Sequence, residues 1–350
     1  MRARRRWIAV GLGVVLALGV AVYAGASYYA YDRLAAATPD CGGRFPDYTP
    51  ASFGTEGISE DFTAGGFDTT PYAMPGYREV GFPSRDARQP RLTIRAWWVP
   101  AEKAGAPAVI VVHGWNSCRH DPVVLLPAGM LARNGFSVLM MDLRDQGDSD
   151  REDGRSGWGS EEYLDVLGAW DWLQRSGSAP PTTVSTQGLP ASRIGLLGES
   201  LGASSAIIAM AEEPTVAATW ADSGFADLGA LFDERIAGFD ERIAGNGLPT
   251  WLRQGVIAWA KIIANDDLTA RSPVDEVERI GARPLAIVHG LADDDVELHH
   301  AKDLAAVHAK SVPGYEPWLV PRALHLQAAF ATPAEYERRI VEFFRASLGA

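Results

Sequence analysis

Ser200 lies in the run Gly198-Glu199-Ser200-Leu201-Gly202, directly after the apolar stretch RIGLL (193–197) and directly before a run of small residues. A serine at a sharp strand-to-helix turn presents its hydroxyl above the sheet, and the flanking glycines remove side chains that would obstruct the turn. The start of the following helix favours developing negative charge there. The competing reading is a serine that merely caps a helix after a glycine turn. A serine hydroxyl is a weak nucleophile without a base to take its proton and a carboxylate to orient that base. The chain offers seven histidines, and the stretch HGLADDDVELHH (289–300) alone holds three of them with four carboxylates. That stretch is a poor metal site. His299 and His300 are adjacent and would project about 100° apart on a helix, unlike the i, i+4 pair of a zinc helix. The run of Asp293, Asp294 and Asp295 also lacks a calcium-loop signature.

The elements that must position these groups can be read from pattern. Short apolar, β-branched runs at 92–100, 108–114, 136–142, 193–198, 216–222, 284–290 and 316–321 alternate with helical patterns near 123–134, 160–175, 200–211, 297–310 and 333–347. Continuous apolar strands separated by helices predict an α/β fold with a mostly parallel central sheet and helices on both faces. Functional loops of such a sheet lie at the carboxyl ends of its strands. Residues 223–283 interrupt the rhythm with helical sequence and a tandem echo, DERIAGF then DERIAGN (233–246). This segment reads equally as a small helical lid or as a plain helical connection.

The elbow around Ser200, between strand and helix, resembles that of the α/β-hydrolase superfamily, in particular its esterases, serine aminopeptidase-like hydrolases and acyl-transfer relatives. The resemblance covers roughly residues 75–347. It implies a triad in the order serine, acid, histidine. Of the seven histidines, His325, just past the last strand in LVPRALHLQAAF, stands where the family places its base. His289, Gly290, Asp293 and Val296 match the pattern H-G-x-x-D-x-x-V, which selects Asp293 rather than Asp295 as the acid; Asp294 and Asp295 would then be solvated or cap the next helix. The IVVHGWNSC stretch (110–118) resembles the family's oxyanion loop and implies backbone N–H donors from Trp115 and Leu201. In DLRDQGDSD (142–150), Asp142, Arg144, Gly147 and Ser149 match a bracing motif, whereas Asp145 and Gln146 replace its usual Gly and His.

Bulk properties narrow the partners. The 350-residue chain carries a formal charge of −12, and four of its 32 basic residues fall within the first six positions. So acidic a body argues against nucleic acid, whose binders need a basic face. The chain is large enough to fold without a metal or disulfide staple. Its two cysteines, Cys41 and Cys118, are too few for a structural zinc; they could pair in an exported protein or remain free thiols. No charged residue occurs from Trp7 to Tyr31, and arginines precede that run. It is long enough to span a bilayer with the catalytic part outside the cytoplasm. A cleaved signal ending near Ala24-Gly25-Ala26 is the rival, and would secrete the protein. The expected organisation is therefore an anchor or signal at 1–32, a linker and irregular lead-in at 33–75, and an α/β-hydrolase catalytic domain at 76–350. The expected activity is a cofactor-free serine hydrolase, a carboxylesterase acting on a small-molecule or lipid-like acyl substrate. Peptidase, acyltransferase and inactive membrane-tethered binding module are the alternatives. Trp115, Trp158, Trp251 and Trp259 are candidates for an apolar mouth or for core.

Overall fold

In the computed structural model, residues 2–349 are described except 39, 46, 89–90, 176–187, 239–249, 265–266 and 269. Eight strands follow in chain order: β1 (Arg78–Pro83), β2 (Thr93–Val99), β3 (Ala108–Val112), β4 (Ser137–Met141), β5 (Ile194–Glu199), β6 (Ala218–Asp222), β7 (Leu285–Gly290) and β8 (Trp318–Val320). They form one sheet in the order β1-β2-β4-β3-β5-β6-β7-β8. β1 and β2 pair antiparallel, as do β2 and β4, and every later pairing is parallel. The eleven α-helices among the described residues are α1 (Arg2–Ala35), α2 (Glu60–Thr63), α3 (Pro122–Arg133), α4 (Tyr163–Gln174), α5 (Leu201–Glu212), α6 (Leu228–Gly238), α7 (Arg253–Ile263), α8 (Pro273–Ile280), α9 (Leu298–His308), α10 (Ala328–Ala331) and α11 (Pro333–Leu348). This is the α/β-hydrolase fold.

The central strands β3, β4, β5 and β6 are buried at every position, because both sheet faces are covered. α3 and α11 pack on one face; α4, α5, α8 and α9 lie on the other. α11 shows how sequence fixes such a layer. Pro333 pre-sets its first turn, Gly349 ends it in the left-handed region at φ 64, and Tyr336, Ile340, Val341, Phe344 and Leu348 form its buried stripe. Each large side chain in that stripe contributes about 1.5–3 kcal/mol by burial. Strand β1, absent from the pattern-based expectation, is an edge strand with mostly exposed or half-buried positions, so it lacks the apolar run that marks the others.

The chain divides into two compact units, Met1–Ala36 with Leu228–Ala270, and Ala37–Asp227 with Arg271–Ala350. The segment 223–283 is thus split. α6 and α7 group with α1, whereas α8 packs on α5 and α9 beside the sheet. The first repeat of the tandem echo lies in α6 up to Gly238; the second lies outside the described residues. Within the first unit, α7 packs along α1. Tyr23 stacks on Trp251 at 5.3 Å between ring centroids, and Tyr28 meets Trp259 edge-on at 5.4 Å. Among the described residues, α1 is the one helix long and apolar enough to cross a membrane.

In the second unit, the lead-in after residue 36 is irregular but anchored. Cys41 and Cys118 form a disulfide, with Cα atoms 5.3 Å apart. Tyr48 O meets His120 Nδ1 at 2.7 Å, and the Ser59 N–H donates to Gln327 Oε1 at 3.0 Å. Phe67 packs against Phe330.

Candidate active site

The turn between β5 and α5 is the strained point of the sheet. Ser200 adopts φ 53 and ψ −116, a region that side chains rarely occupy and that persists only where the surroundings enforce it. Its N–H donates to the Asp222 carbonyl at 2.9 Å. The two glycines of the motif are there for backbone contact. A Cβ on Gly198 would run into the Gly202 carbonyl, and one on Gly202 into the carbonyls of Val112 and His113. Leu201 opens α5, so its N–H is among those at a helix start with no partner inside the helix.

The loop after β3 comes to the same place. A Cβ on Gly114 would lie 3.1 Å from the Ser200 Cβ. His113 is buried and engaged at both ring nitrogens: Nδ1 lies 2.7 Å from Gly114 O, and Nε2 lies 3.0 Å from the Leu143 N–H. The carbonyl accepts and the amide donates, so the proton sits on Nδ1. Burial also lowers the affinity of this imidazole for a second proton. His113 therefore ties the Trp115 loop to the loop after β4. Beyond Trp115, Asn116 lies at φ 51. Its Oδ1 accepts from the Thr38 N–H and hydroxyl, both at 2.8 Å, and its carbonyl accepts from Arg44 at 2.8 Å. The disulfide follows two residues later. Trp115 is half-buried and lies 5.1 Å from Trp158, which in turn meets Phe225 at 6.1 Å. Trp251 and Trp259 belong instead to the unit built on α1.

The loops after β7 and β8 are laced together by backbone. Leu291 N–H donates to Val320 O at 2.9 Å and Ala292 N–H to Ala323 O at 3.0 Å. Gly290 lies so close to the Ala323 carbonyl that a Cβ would overlap it. This brings Asp293 Oδ2 within 2.8 Å of His325 Nδ1. Asp293 Oδ1 accepts from the Asp295 and Val296 N–H groups, each at 3.0 Å. The Asp293 side chain is fully buried, whereas Asp294 and Asp295 are exposed. Burial alone would raise the Asp293 pKa. The hydrogen bond from His325 and the neighbouring charges of His325 and His289 outweigh it, and the carboxyl ends below its ordinary value. His289 Nε2 lies 2.9 Å from Val296 O and 3.6 Å from Asp293 Oδ2. His300 accepts from the Ala226 N–H at 3.1 Å. His325 reaches the elbow through its neighbour: Leu326 N–H donates to Ser223 Oγ at 3.4 Å, next to the Asp222 carbonyl that holds Ser200.

A buried acidic layer behind the elbow escaped the sequence reading. Asp222 accepts from Tyr336 Oη at 2.8 Å and from Ser223 Oγ at 3.1 Å, and Trp220 Nε1 donates to Tyr336 Oη at 3.0 Å. Burial raises the Asp222 carboxyl to about 6 against the lowering effect of these hydrogen bonds. Burial, with Asp222 and Asp121 nearby, pushes Glu199 well above the carboxylate range. The signal for both was an acid terminating an otherwise apolar strand. The bracing motif is an ion-pair hub. Asp142 accepts from the Arg119 N–H at 2.8 Å and guanidinium at 3.0 Å, and Arg144 is bidentate on Asp165 at 2.8 and 3.0 Å. Where the family resemblance led us to expect glycine, Asp145 has φ 62 and accepts from the Glu152 and Gly154 N–H groups.

An eight-stranded sheet with a strained G-x-S-x-G elbow defines this protein as an α/β-hydrolase, a serine hydrolase by class. Residues 126–350 match the prolyl oligopeptidase family of peptidases, and the chain belongs to that family. No curated protein matches the sequence. Among solved structures, an esterase of Pyrococcus furiosus is similar at 22% identity and TM-score 0.60, covering 81% of this chain and 95% of its own. The α/β-hydrolase GrgF of a Penicillium species is 18% identical with TM-score 0.56, covering 78% of this chain and 99% of its own. An acylaminoacyl peptidase of Pyrococcus horikoshii is 18% identical with TM-score 0.52, covering 78% of this chain but 41% of its own. These likenesses concern the fold.

Proposed function

We propose that the protein hydrolyses carboxylic esters, or the related thioesters and amides, through an acyl-enzyme on Ser200. His325 takes the serine proton and later returns it to the leaving group. Asp293 holds the imidazole with its Nδ1 proton inward and stabilises the imidazolium. The backbone N–H groups of Leu201 and Trp115 receive the oxyanion, a contribution of about 3 kcal/mol for each such donor. Water then releases the acyl group, and no cofactor enters the scheme. The observation that carries this reading is the hydrogen bond between His325 Nδ1 and the buried Asp293 carboxylate, on the loops that follow β7 and β8.

Esters are favoured because they ask least of the constellation. The family's peptidase name supports a second reading, in which the same acyl chemistry opens an amide. The proposed organisation is an anchor at 1–32, a lead-in at 33–75 and the catalytic domain from 76, with α1 retained in the membrane and the site outside the cytoplasm.

Fluorophosphonate labelling of the full chain in detergent, read by intact mass, tests the proposal. The expected result is one adduct on wild type and none on Ser200→Ala. An unlabelled but folded wild type would refute the activated serine and favour the binding-module reading. Matched aryl esters and aminoacyl anilides then separate esterase from peptidase.

A further inference from the structure

The apolar run of α1 and the packing of α7 on it make demands that meet at one depth. α1 is exposed all round from Arg4 to Val22. A helix needs about 20 residues to cross the bilayer core, so a crossing that begins at Trp7 ends near Ala26. Burial of α1 begins at Tyr23, where α7 docks. The last turn of the crossing and the docking site therefore coincide.

The junction is specific. Gly255 of α7 lies so close to Ser27 that a Cβ there would overlap its side chain. Trp259 Nε1 donates to the Ala24 carbonyl at 3.0 Å, and Ser27 Oγ folds back onto Tyr23 O at 2.7 Å. Removal of α1 at Ala26 would take away Tyr23 and Ala24 and leave Trp251 and Trp259 without these partners. Beside the polar Gln254 and Lys261, the exposed positions from Trp251 to Ile263 are apolar: Trp251, Ala258, Ile262 and Ile263. Trp251 is 58% exposed, Ile262 70% and Ile263 44%. α7 has no acidic residue; its cations are Arg253, paired with Asp233, and the exposed Lys261, 3.6 Å from Asp267 and long enough to reach the headgroups as well. Trp251, Trp259, Tyr23 and Tyr28 supply the aromatic girdle that settles at a membrane interface.

We propose that α7 with Trp251 is a membrane-docking element. It lies in the outer headgroup–acyl boundary, its Trp251, Ile262 and Ile263 side chains in lipid. This rests on the reading of α1 as a retained anchor. The insertion thus serves as the collar of the anchor, and its partner is the lipid bilayer itself.

The test uses the full chain reconstituted in phosphatidylcholine vesicles. The natural cysteines are joined, so an introduced thiol is labelled alone with an environment-sensitive fluorophore. Ile262→Cys reports the proposal, Val15→Cys the anchor and Lys310→Cys the aqueous reference; Ala258→Cys, one turn earlier, replaces Ile262→Cys if that variant does not fold. Lipids carrying a doxyl quencher high or low on the acyl chain read the depth. An interfacial helix sits ~5–10 Å into the boundary, so Ile262→Cys should be blue-shifted and quenched more by the shallow doxyl than by the deep one. Val15→Cys should show the reverse order, and Lys310→Cys neither. Quenching at Val15 with none at Ile262 overturns the proposal while the anchor stands. A blue shift at Ile262 without lipid quenching overturns it in favour of a protein partner. No quenching at Val15 removes the anchor and the proposal with it.

Discussion

Asp293 meets His325 through a carboxylate held by two backbone amides and shut away from water, so its aim is fixed before any substrate arrives. Replacing it with Asn keeps the shape but favours the wrong imidazole tautomer. Asp293→Asn should lower kcat by about 10⁴-fold with little change in KM, measured on whichever ester the wild type turns over. Asp222 makes a different prediction, with its own sign. Its folded pKa of about 6 lies above the ordinary carboxylate value, so the folded state holds a proton that the unfolded chain releases. Stability from this group is full below about pH 4 and is lost as pH rises to 6 and beyond. That loss is on the order of 3 kcal/mol. Asp222→Asn should therefore gain stability relative to wild type between pH 4 and 6 in denaturant unfolding. An unchanged difference across that interval would contradict the buried-acid account. Asp293 and His325 were candidates because each follows an apolar strand, Asp293 in the H-G-x-x-D-x-x-V pattern and His325 where the resembling family places its base; the structure sets them 2.8 Å apart. Asp222, Ser223 and His113 were not, since their meaning lies in partners far along the chain: Tyr336, Leu326 and Leu143.

At the scale of elements, the elbow holds together because three backbones touch where no side chain fits. Gly202→Ala would drive a methyl into the Val112 and His113 carbonyls, main-chain atoms of a fully buried strand and its loop. Overpacking of this kind typically costs ~1–3 kcal/mol. The expected result is a lowered unfolding midpoint together with lost fluorophosphonate labelling, because the carbonyls that must yield frame the proposed oxyanion loop. The sheet was readable from β2 onward, most plainly at β3 to β6, where strands buried on both faces leave apolar runs. β1 was not, for an edge strand with polar faces looks like loop. The segment 223–283 was read as strand-free, and its described residues hold no strand. Its division between two units was hidden, because what distinguishes α7 from α8 is the partner each one packs on.

For the molecule as a whole, the lead-in was read as irregular sequence packed on the domain, with the pairing of its cysteine left open. It has no periodicity, yet it carries the Cys41–Cys118 bond and hydrogen bonds to the loops bearing Trp115 and His325. Closing a loop of 77 residues contributes about 4.5 kcal/mol in the chain-entropy account. Mild reduction, or Cys118→Ala, should lower the thermal midpoint and slow labelling of Ser200, with a larger relative loss in labelling if the Asn116 clamp loosens first. Equal labelling rates in oxidised and reduced protein would show that the clamp holds without the bond.

That covalent tie carries a consequence for when the enzyme becomes dangerous. If Ser200 opens acyl bonds as proposed, the cell that makes the protein carries lipids and thioesters of the same bond type. Here the loop beside the nucleophile is finished by a bond that reducing compartments do not allow to persist. On the proposed export, the freshly made chain would act slowly where it is made and faster once the bond has formed. The same polypeptide held reduced should therefore label more slowly than its oxidised counterpart until the bond forms.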